Sequence, residues 1–109
     1  MNIDSLTIGE ASQLAQMFTK FAEGSPWQIG QNYLIRTVTM IQTGRLVSVS
    51  SQELVLEDAA WIPDTGRFAD ALQSCKFGEV EPFPQGPVII GRGAVIDAVQ
   101  IISLPRAQK

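Results

Sequence analysis

The amino-acid sequence predicts a mainly β protein: an N-terminal helix packed on a five-stranded, strongly bent antiparallel barrel, with a helical insertion between strands three and four. Three observations carry this. Residues 7–22 repeat their apolar side chains at helical spacing. Five later stretches are rich in apolar and β-branched residues and are separated by short connections or punctuated by glycine and proline. Five short strands also bury too little as a flat sheet, so they must curl. With 109 residues, 45% of them hydrophobic, the chain is long enough for one domain with its own core.

Thr7-Ile8-Gly9-Glu10 has capping-box spacing at the start of the helix. Ala11, Leu14, Ala15, Phe18, Phe21 and Ala22 then form one apolar stripe, and Gly24 and Pro26 supply the stop. Residues 32–40 read as the first strand. Gln42-Thr43-Gly44 reads as a turn, 45–50 as a short second strand, and 53–62 as a third that Pro63 ends. Connections this short make an antiparallel meander over 32–62. Asp64-Thr65 can cap a short helix to about residue 74. Residues 77–87 read as a Pro/Gly-punctuated loop, so 63–87 is an insertion. Residues 87–90 and 94–102 are the last two strands, split by Gly91-Arg92-Gly93. The polar tail from 104 to 109 reads as loose.

The composition excludes several chemistries. A chain without histidine and with one cysteine supplies no Ser-His-Asp triad, Cys-His pair, His-ligated zinc or disulfide framework. No catalytic residue, metal ligand or cofactor is expected, and the protein reads as a non-enzyme. Net charge is −3 and is unevenly spread. Residues 53–81 carry seven acids against Arg67 and Lys76, whereas 82–109 carry Asp97 against Arg92, Arg106 and Lys109. No basic stripe runs through the sequence, which argues against duplex DNA. No stretch approaches the ~20 apolar residues of a membrane span, and no secretory leader is recognised. A lone Cys75 suits a reducing compartment. The expected location is the cytoplasm.

Gly44-Arg45-Leu46 followed by Glu53-Leu54-Val55-Leu56-Glu57-Asp58-Ala59 resembles the first motif of Sm-like proteins. Ile90-Gly91-Arg92-Gly93-Ala94-Val95-Ile96 is similar to their second. The resemblance implies a helix plus a five-stranded bent barrel of the Sm-like or SH3-like kind. It also implies rings closed by pairing edge strands of neighbouring subunits, and binding of single-stranded RNA. The family's RNA pocket draws on an Asp and an Asn near the first-motif turn; here the stretch is Ser50-Ser51-Gln52-Glu53. The chain is also similar to small proteins of tailed bacteriophages, chiefly over 44–68 and 88–104, which implies a viral source and the host cytoplasm.

Two functions stay open. One is a homo-oligomeric ring acting in assembly or interaction. The other is a ring that holds single-stranded RNA or sequesters a small anionic nucleotide, with Arg92, Gly93, Gly91 and Arg45 as candidate ligand residues. Gly91-Arg92-Gly93 offers backbone amides and a guanidinium fork; its structural alternative is a tight hairpin turn. Glu57 and Asp58 are neighbours on a strand and are expected on opposite faces. Trp27, Trp61 and Phe83 read as core or interface anchors before they read as base-stacking platforms.

Overall fold

The computed structural model describes residues 25–109; the helix expected over 7–22 lies outside them. Six strands form one antiparallel sheet, with one α-helix beside it. β1 (Asn32–Thr37), β2 (Ile41–Val49) and β3 (Glu53–Asp64) are the expected meander. Helix α1 (Phe68–Ser74) follows, then β4 (Glu79–Pro82), β5 (Val88–Gly91), a 3-10 turn over Arg92–Ala94, and β6 (Val95–Gln100). The sequence predicts five strands. The sixth, β4, lies in the stretch read as a loop, where three prolines in eleven residues hide a four-residue pairing.

The order across the sheet is β4-β3-β2-β1-β6, and β5 also pairs with β3. β3 runs twelve residues because one of its sides serves two partners in line. β5 lies along Glu53 to Leu56, and β4 pairs with Ala60, Trp61 and Asp64. β6 pairs with β1 at the far end of the sheet. On a flat sheet, four strand spacings would separate β5 from β6 by ~19 Å. A three-residue 3-10 turn, rising ~2 Å per residue, joins them instead, so the sheet must curl. The curl does not close into a barrel, since β5 and β6 make no ladder with each other.

Two cores follow from the curl. Inside it, Tyr33, Ile35, Leu46, Leu54, Leu56 and Ile90 pack together, with Trp27, Val95 and Ala98 against them. On the opposite face Leu34, Ala60 and Ile62 meet Ala71 of α1, Phe77 and Val80. Tyr33, Leu34 and Ile35 are buried in succession, because β1 is covered on both faces and paired on both edges. β1 is therefore an interior strand, and β6 beside it is the edge.

Local departures have identifiable causes. The first hairpin turns at 38–40, where Thr37 Oγ1 accepts N–H bonds from Thr39 and Met40. Val38-Thr39-Met40 carries no glycine, proline or asparagine to announce a turn. Gln42-Thr43-Gly44 instead lies inside β2. A Cβ on Gly44 would sit 2.8 Å from Leu56 Cβ, so this glycine serves close approach of two strands. Pro63 does not end β3; it falls in the irregular register between Trp61 and Asp64, where no ladder N–H is needed. Asp64 accepts the Gly66 N–H at 2.8 Å and does not cap α1. The tail is tied down: Leu104 packs on the second core, and Lys109 exchanges two backbone bonds of 2.9 Å with Val80.

Candidate functional site

β3 changes character at Asp58. Between the pairs Thr43–Ala60 and Arg45–Glu57 it carries one residue more than β2, and Asp58 takes up the excess with φ +52°. This is a β-bulge, and it corrects the expectation that Glu57 and Asp58 face opposite ways. Both reach Arg45, at 3.1 and 3.5 Å from its Nη2. Arg45 thus stands in mid-strand opposite Glu57, its guanidinium shared by two carboxylates.

The other side of the bulge faces the 83–87 connection between β4 and β5. Phe83 donates its N–H to the Ala59 carbonyl at 2.9 Å, after which the chain loops outward through Gly86, with φ +92°. Arg106 from the tail closes the gap. Its Nη1 donates to the Ala59 carbonyl at 2.6 Å and its Nη2 to the Phe83 carbonyl at 3.1 Å. Glu57, Asp58, Phe83, Gly86 and Arg106 line a cleft of about 300 Å³ here. Arg106 was not singled out in the sequence. It stands 47 residues from Ala59, and no local pattern marks a long-range pairing to carbonyls.

Arg92 occupies the first position of the 3-10 turn. Its N–H donates to Gln52 O at 2.8 Å and its Nη1 to Ser50 O at 2.6 Å, so it staples the β2–β3 turn to the β5–β6 junction. Gly91 pairs with Glu53 at the end of β5. Neither Gly91 nor Gly93 has a positive φ, and a Cβ at either would meet nothing within 4 Å. The ladders separate Arg92 from Arg45: Gly91 faces Glu53 and Arg45 faces Glu57, four residues further along β3. The four candidate ligand residues therefore fall in two places.

The remaining charged pair is Arg36 with Asp97, across β1 and β6. Arg36 Nε donates to Asp97 at 2.7 Å, and its Nη2 makes a second bond. These hydrogen bonds hold the Asp97 carboxyl below its ordinary range and raise the Arg36 guanidinium. Arg36 also lies 5.0 Å from the centre of the Phe68 ring, linking β1 to α1. Among the described residues no group of three acidic or cysteine side chains could hold a metal ion, and no helix is long and apolar enough to cross a membrane.

No protein family, curated protein or solved structure matches the chain.

Proposed function

We propose that this protein is a non-enzymatic self-assembling module of the Sm-like kind, whose copies join through the two strand edges that its open curl leaves unpaired among the described residues. The observation that carries this reading is the contrast between edges. β4 has Glu79, Glu81 and Pro82, and Lys109 pairs with its backbone; charge, proline and cover are the devices that block edge-to-edge association. β5 is Val-Ile-Ile-Gly. β6 carries one charge, Asp97, and Arg36 holds it.

Exposed apolar residues accompany these edges: Ile89 on β5 is 62% accessible, Val99 on β6 is also exposed, and Ile102 just beyond is 85% accessible. Pairing β5 of one copy with β6 of the next would be heterologous, and such contacts close into rings or run on as filaments. Lysine at Ile89 or Val99 protects an edge in the same way as the charges on β4. Ile89→Lys and Val99→Lys should each reduce the assembled mass while leaving the melting curve of the subunit in place. Retention of the full mass by both variants would refute the edge contact.

A second reading rests on the bare backbone at Gly91 and Gly93. Nothing within the described chain requires glycine at either position, and glycine admits close approach by an outside group. A small anionic nucleotide or single-stranded RNA at a ring of Arg92 turns would use that access. Native mass spectrometry of protein taken directly from its producing cell separates the two readings. A co-purifying nucleotide lost in Arg92→Ala supports the ligand-binding ring; an assembly without added mass supports assembly alone.

A further inference from the structure

Residues 104–109 form no strand or helix, yet they complete the sheet at β4. β4 ends the strand order, and among the described residues no strand pairs with its outer edge. The tail fills that edge at Val80. The Val80 N–H donates to the Lys109 carbonyl and its carbonyl accepts the Lys109 N–H, both at 2.9 Å. Three residues earlier in the tail, the Arg106 guanidinium bridges the Ala59 and Phe83 carbonyls. Leu104 packs, partly buried, against the second core. The hold is light. Arg106, Ala107, Gln108 and Lys109 are all exposed, and Pro105 has no N–H to donate. A segment with few buried contacts and exposed backbone bonds opens locally, at far less than the cost of unfolding.

We infer that this seat is a docking site for an extended, arginine-bearing segment of a partner protein, with the chain's own tail as its resident competitor. Without the tail the seat is mostly acceptors. Ala59 and Phe83, each with a freed carbonyl, line one cleft with Glu57 and Asp58. Two carbonyls bridged by one side chain select a planar fork of donors, which a guanidinium supplies and an ammonium does not. Charge points the same way. Residues 53–81, which include β4's Glu79 and Glu81, hold seven acids against Arg67 and Lys76, whereas the tail carries Arg106 and Lys109 and no acid. Adding a segment to a sheet edge through backbone bonds, with a side chain for specificity, is a recurring mode of peptide recognition. The tail displays the fit: an arginine three residues before the residue that pairs with Val80. The seat uses neither β5 nor β6, so it can take a partner whether or not copies pair through those edges.

Hydrogen exchange in the full chain tests this. Opening the tail exposes little surface, so the Val80 amide should exchange well ahead of Leu34 and respond weakly to urea. A Val80 amide that exchanges only at the rate of Leu34 would overturn the inference, because the seat would never be free in the folded protein. The probe for docking is a synthetic peptide of residues 103–109. Added to the Arg106→Ala chain, it should slow Val80 exchange in proportion to its concentration. Arg106→Lys, which keeps the charge but loses the fork, gives a second chain with a weakened tail and should respond likewise. In the parent, whose own tail competes, the same slowing should take about 5 to 30 times more peptide. A peptide carrying Arg106→Gln should have little effect. Unaltered Val80 exchange at millimolar peptide, or equal slowing by the Arg106→Gln peptide, would overturn the inference. So would equal slowing in the parent and variant chains, which would place the peptide elsewhere.

Discussion

Thr43 and Gly44 sit side by side in β2, and each contributes through what it lacks. Thr43 is fully buried between Leu34 and Ala60, and its hydroxyl has no hydrogen-bond partner among the described residues. A buried hydroxyl without a partner forfeits its hydration and gains nothing in return. Thr43→Val keeps the shape and should stabilise the fold by about 1 kcal/mol, read as a melting temperature roughly 4–8 °C higher. Gly44 lacks a side chain because Leu56 Cβ occupies the space. Gly44→Ala should cost about 1–3 kcal/mol through overpacking, measurable as a lower midpoint in urea. The residue type at 44 is plain in the sequence but its reason is not. Glycine after Gln-Thr reads as a turn, and only the strand opposite shows that it is a point of contact.

At the scale of elements, two side chains from distant parts of the sequence hold pieces of sheet together. Arg106 bridges the Ala59 and Phe83 carbonyls where β3 bulges and β4 gives way to the outward loop. Arg106→Ala removes a charged donor from both and should cost about 1–2 kcal/mol. Faster hydrogen exchange at the Val80 and Phe83 amides would locate the loss. Arg36 and Asp97 join β1 to β6 with a pH dependence of fixed sign. The pair lowers the Asp97 pKa in the folded state, so its stabilisation is present above the ordinary carboxylate value of about 3.9 and fades as pH falls through the lowered one. Asp97→Asn should therefore melt below the parent at pH 7, with the gap narrowing as the solution is taken below about pH 4. Both groups are exposed, so the effect will be small and reduced by salt.

For the whole molecule, the parts legible in the sequence are those set by local chemistry. The meander, the short helix and the two final strands appear near their expected positions, because β-branched runs and short polar links report on nearest neighbours. The missed features depend on distant partners. β4 is a strand only because the second half of β3 offers an edge; the tail is fixed only because Ala59, Phe83 and Val80 receive it. The bulges at Asp58 and Ile96 are invisible in alternation patterns, since an extra residue is defined only against the strand opposite. They also decide the surface, turning Glu57 and Asp58 together onto Arg45 and pushing Ile96 outward. Arg92 was legible as unusual and illegible in its bonding, which staples the turn between β2 and β3. Among the described residues, the fold leaves unpaired two edges rich in apolar residues, β5 and β6, on either side of one short turn.

The most direct measurement is the solution mass of the full chain by light scattering at micromolar concentration. Edges that pair between copies predict a mass several times 11.9 kDa, unchanged by Arg92→Ala and lowered by Val99→Lys. A mass of 11.9 kDa over the same range would contradict the account.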